Sequence, residues 1–117
     1  MRFLLLFSAI FLVSMVPGQK SHNVQFCNPV AIAGPDQEVD GEITVLLDGS
    51  SSFANCGRSI VIYSWTKVVG PSATINHANQ AITSVTLTGI GTWTFKLTVR
   101  DNAQGESTDF VSVTNQP

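Results

Sequence analysis

From residue 30 onward, apolar and polar side chains alternate in short bursts, and each burst stops at Gly, Pro, Asn or Ser. A period of two puts successive side chains on opposite faces of an extended strand, whereas a helix needs apolar positions three and four apart. The clearest burst is 91–100, with Trp93, Phe95, Leu97 and Val99 on one face and Thr94, Lys96, Thr98 and Arg100 on the other. One buried and one wet face are predicted there. A second strand is expected over 59–69, with Val61, Tyr63 and Trp65 sharing one face and Ile60, Ile62, Ser64 and Thr66 the other. Val45 and Leu47 mark a shorter strand, as do Thr83, Val85 and Leu87, then Val111 and Val113, and 30–33 leads in. Six or seven strands at intervals of roughly ten residues describe an all-β sandwich of two antiparallel sheets. Its expected core is Tyr63, Trp65, Trp93, Phe95, Leu97 and Val99.

The amino-terminal residues follow a different pattern. Met1 and Arg2 precede an apolar run over 3–16 broken only by Ser8 and Ser14, and Val16 and Gly18 stand just before Gln19. A positive start, a short apolar stretch and small or compact side chains before a cleavage point read as a secretory signal over 1–18. An amino-terminal segment over 19–29, a domain over 30–114 and a tail over 115–117 follow. The expected location is secreted or at the cell surface, without membrane insertion once the leader is removed. Cys27 follows Val24, Gln25 and Phe26, unlike a lipoprotein acceptor. Modules of this size are usually strung in longer chains, and nothing in the residues separates a piece of such a chain from a free-standing small protein.

Charge narrows the partners. Without Arg2, five basic residues face eight acidic ones and no Lys or Arg cluster exists, so nucleic acid is an unsuitable partner. In an oxidising compartment Cys27 and Cys56 are candidates for a disulfide closing a loop of about 30 residues, two free thiols being the alternative. His22 and His77 have no recognisable catalytic partner, and no Gly-x-Ser-x-Gly elbow or Asn-x-Ser/Thr acceptor occurs. Asp36, Glu38, Asp40 and Glu42 alternate along one polar stretch, as on a solvated edge that discourages strand pairing. Neither an enzyme nor a cofactor site is expected.

Four segments in order, VAIAGPDQ from Val30, LDGSSS from Leu47, YSWTKVVGPS from Tyr63 and GTWTFKLTVRD from Gly91, resemble the PKD domain. They are closest to its branch with Trp-Thr and Gly-Pro-Ser after the tyrosine. The resemblance implies an immunoglobulin-like sandwich, with Trp65 between the sheets, Gly34 and Pro35 at a turn, and Asp48 with the following serines bonding local backbone. It implies a calcium site in some members, built from the loop after the Ser run and the turn after the long strand. Here Asp101 matches the second place, while the first reads Phe53, Ala54, Asn55, Cys56 and lacks carboxylates, a thin cage for an ion that takes six to eight oxygens. Cys56 in that loop and Cys27 point instead to a disulfide tying the loop to the amino-terminal segment.

The resulting expectation is a non-catalytic extracellular module for adhesion, spacing, or contact with protein or glycan. Ile60, Ile62, Leu46 and Phe110, all opposite the predicted core, form a contact patch if they cluster. The alternative is an accessory carbohydrate-contacting module of a secreted hydrolase, which needs a row of exposed aromatics; only Phe53 and Phe110 are candidates.

Overall fold

A computed structural model of the protein describes residues 26–117, so the expected secretory signal over 1–18 lies outside the described residues. Seven strands follow in order: β1 (Gln37–Asp40), β2 (Thr44–Asp48), β3 (Ile60–Val69), β4 (Ala73–Ile75), β5 (Ile82–Leu87), β6 (Gly91–Asp101) and β7 (Glu106–Gln116). They form a four-stranded sheet ordered β1-β7-β6-β3 and a three-stranded sheet ordered β2-β5-β4. All pairings are antiparallel except β1 with β7, where Gln37 stands opposite Val113 in a parallel register.

The alternation in β6 does what its pattern requires. Trp93, Phe95, Leu97 and Val99 have no exposed surface, and with Trp65, Val45, Leu47, Val85, Leu87, Val111 and Val113 they fill the space between the sheets. Tyr63 is half-buried and packs against this core. Each indole N–H finds a carbonyl: Trp65 Nε1 donates to Gln80 O (3.1 Å) and Trp93 Nε1 to Pro71 O (2.9 Å). Both large rings thus bury their apolar area without orphaning a donor.

Two motif glycines make room for these rings. A Cβ on Gly49 would lie 2.6 Å from Leu97 Cδ2 and 3.1 Å from Trp65 Cζ2. Gly70, at φ +119°, would push one to within 2.9 Å of Trp93 Cδ1.

The sequence pattern errs in β3. Ile60 pairs with Asp101 and Ile62 with Arg100, so Val61 is an extra residue, a β-bulge. The bulge reverses the expected faces at this end: Ile60 packs on the core, while Val61 is 57% exposed. A second irregularity lies between Lys67 and Val69, and Trp65 N donates to Ala78 O across the strand's outer edge (2.8 Å). Bulges and a covering loop blunt an edge strand that could otherwise pair with another chain.

Two strands were not legible in the alternation. β1 arises within the acidic stretch, where Val39 is half-buried while Glu38 and Asp40 face water. β4 has only three residues. The expected leading strand over 30–33 is reduced to one bridge between Val30 and Phe53. At the other end β7 runs through the buried Asn115 to Gln116, so two of the three residues expected as a tail over 115–117 lie inside the sheet.

Candidate functional site

Polar chemistry concentrates at the two poles of the sandwich. At the amino-terminal pole Cys27 and Cys56 are joined in a disulfide, with their Cα atoms 5.5 Å apart. Arg58, two residues beyond Cys56, donates from Nη1 to Cys27 O (3.4 Å) and lies 3.5 Å from Asp101 Oδ2. Asp101 is the last residue of β6 and is 1% exposed. Its Oδ1 accepts the amides of Ala103 and Gly105, both at 2.8 Å, which closes the β6–β7 turn. Burial would raise the Asp101 pKa; the Gly105 and Ala103 amides and the Arg58 guanidinium outweigh it and hold the pKa below the usual value, so the carboxylate stays ionised.

Those contacts bear on the calcium candidate at Asp101. Asp101 brings one carboxylate, its Oδ1 is taken by two amides, and its Oδ2 faces a guanidinium. Among the described residues no group of three His, Cys, Asp or Glu side chains could hold a metal ion. These residues do not fit a calcium cage of six to eight oxygens. Asp48, the other motif acid, is held below its usual pKa by the Ser50 hydroxyl and then the Ser50 amide, both bonded to its Oδ1. It closes a local turn, the role that the resemblance implies.

The four residues expected as a contact patch do not come together. Ile60 turns inward at the bulge. Leu46 lies on β2, on the outer face of the three-stranded sheet, the opposite side of the molecule from Ile62 and Phe110. Ile62 stands beside Arg100 and Phe110 beside Lys96, four residues apart along β6, or about 13 Å at the rise of a strand. Lys96 and Arg100 occupy the face between them.

Two other exposed isoleucines follow a polar clamp at the carboxy-terminal pole. The buried side chain of Asn115 accepts from Glu42 N (3.1 Å) at Oδ1 and donates from Nδ2 to Glu42 O (2.6 Å) and Gly89 O (2.8 Å). One carboxamide thus holds the β1–β2 and β5–β6 turns side by side. The next residues on each turn, Ile43 and Ile90, stand out 66% and 52% exposed. Sequence reasoning passed over Ile43, Ile90, Asn115 and Arg58. The one available signal was the placement of isolated isoleucines beside turn residues, since an Asn near a chain end and an Arg in a loop carry no periodicity.

A concave site also lies beside β2, a cleft of about 280 Å³ lined by Ile32, Pro35, Gln37, Asp48 and Ser51 among others. His77 is exposed and is not among the residues that line this cleft.

Two stacked sheets with an internal tryptophan on β3 and motif glycines beneath the rings define an immunoglobulin-like module of PKD type. Residues 33–114 match the family model described as K319L-like, PKD domain, and the chain belongs to that family. It is 44% identical over 87 residues to the dyslexia-associated protein KIAA0319 of Homo sapiens. The match covers 73% of this chain and 8% of that protein, so the chain spans under a tenth of the curated relatives it matches. Among solved structures it resembles the PKD domain from KIAA 1837 protein, with TM-score 0.66 and 35% identity over 74% of this chain and 84% of that one. The PKD domain from human KIAA0319 shares the fold at TM-score 0.62 and 18% identity, over 90% and 92% of the two chains.

Proposed function

We propose that the protein is a non-catalytic extracytoplasmic module that makes protein contacts through its carboxy-terminal pole, as an adhesion or spacing unit. The observation that carries this reading is the Asn115 clamp. A buried, hydrogen-bonded carboxamide fixes two turns, and the residue that follows its contact on each, Ile43 and Ile90, is exposed. Exposed aliphatic side chains on a rigid support suit a protein surface, since little ordering entropy remains to be lost on contact. The disulfide supports an oxidising, extracytoplasmic setting.

Both tryptophans lie in the core, and the exposed aromatics among the described residues are Phe26, Phe53 and Phe110, which disfavours the carbohydrate-contacting alternative. The test is binding of the labelled domain to mammalian cells, followed by flow cytometry. The expected result is staining that protease treatment of the cells removes and that the Ile43→Lys, Ile90→Lys double variant loses. Staining removed by glycosidases, or kept by the double variant, would overturn the reading.

A further inference from the structure

We infer that Arg58 is the resident cation of the Asp101 pocket, so that the amino-terminal pole is stiffened by a guanidinium and a disulfide and needs no metal ion. The starting point is how completely the incoming chain is tied down. Cys27 O accepts from Arg58 Nη1, Asn28 O from Asn55 Nδ2 (2.8 Å) and Pro29 O from Ser107 Oγ. Val30 exchanges both backbone hydrogen bonds with Phe53. Four consecutive carbonyls are thus held by four donors from two separate parts of the chain.

Asp101 is the anion around which these parts meet. Its Oδ1 closes the 101–105 turn, and that turn presses on the incoming chain: a Cβ on Gly105 would lie 2.8 Å from Asp101 Oδ2, 3.1 Å from Asn28 Oδ1 and 3.2 Å from Pro29 Cδ. On the open side of Oδ2 stands Arg58. Asp101 Oδ2 is buried and has no hydrogen bond of good geometry, so the nearby guanidinium is what balances its charge. A divalent ion would have to displace that guanidinium and would still find one carboxylate. Because Arg58 bonds Cys27 O as well, a single side chain joins the buried anion to the incoming chain beside the disulfide. The chain that runs into Cys27 therefore meets the sandwich in a fixed direction.

Amide hydrogen exchange of the oxidised protein tests this at individual positions. The amides of Val30 and Phe53 report the incoming chain, Gly105 reports the Asp101 turn, and those of β6 and β7 report the global fold. Exchange at all of them is expected to be the same in millimolar calcium chloride and in EDTA. Arg58→Gln should speed exchange at Val30 and Gly105 by about tenfold, the loss of one charge-assisted contact, and leave β6 and β7 unchanged. Arg58→Lys, which keeps the charge without the fork, should fall between. Slower exchange at Val30 or Gly105 on adding calcium to the wild type would overturn the inference, as would an Arg58→Gln variant that exchanges like the wild type. Should Arg58→Gln not fold, the wild-type comparison of calcium with EDTA decides alone.

Discussion

Trp65 fits where it does because residue 49 has no side chain: a methyl at Gly49 would come within 3.1 Å of its Cζ2 and closer still to Leu97. The glycine of the Asp-Gly-Ser motif is therefore a packing requirement of a ring sixteen residues later, in a strand of the opposite sheet. Gly49→Ala should cost about 1–3 kcal/mol by overpacking, read as a lowered urea midpoint with an unchanged slope.

The same layer sets the scale of the core. Trp93 has no exposed surface and one good hydrogen bond, to Pro71 O. Trp93→Ala should lose about 3–5 kcal/mol, a large share of the stability of a domain this size. Trp93→Phe should cost less. Equilibrium unfolding followed by circular dichroism checks both.

These two positions also mark what the sequence could and could not convey. Wherever a strand has one dry and one wet face, as in β6, alternation names the buried side chains directly. It fails at Ile60 and Val61, because a single extra residue inverts the faces and a bulge carries no compositional mark. It fails for β1, whose outward carboxylates look like loop and whose pairing partner is seventy-odd residues away. The site suffered most. The patch of Ile60, Ile62, Leu46 and Phe110 assumed that side chains opposite the core share one surface, yet a sandwich has two outer faces and a long strand separates its ends. The Asn115 clamp depends on two turns meeting in space, which no local pattern encodes.

The disulfide closes a loop with a sequence separation of 29 and should contribute about 3–4 kcal/mol in the chain-entropy picture. Reduction, or the Cys27→Ser, Cys56→Ser double variant, should lower the denaturation midpoint by a corresponding amount while β6 and β7 remain paired. Two free thiols by mass spectrometry of the unreduced protein would contradict the bond itself.

Acid should unfold the domain through Asp101 and Asp48. Both carboxyl groups have folded-state pKa values below the ordinary 3.8, Asp101 through the Gly105 and Ala103 amides and Arg58 acting against burial, and Asp48 through Ser50. A lowered folded pKa gives stability that is fully present above the unfolded value and is lost as pH falls below it through the folded one. Thermal midpoints should therefore be level from neutral pH down to about pH 5 and then decline. Asp101→Asn keeps an acceptor for the two turn amides and should flatten that decline. An equally steep decline in the variant would remove Asp101 from the explanation.

Everything above depends on Trp65 and Trp93 meeting inside two facing sheets. Intrinsic fluorescence of the oxidised protein, with acrylamide as quencher, reads those two side chains alone, because the chain has two tryptophans. The account predicts blue-shifted emission that acrylamide barely quenches and that moves to the red in a single step on unfolding. Emission typical of indole in water, freely quenched in the native protein, would contradict it.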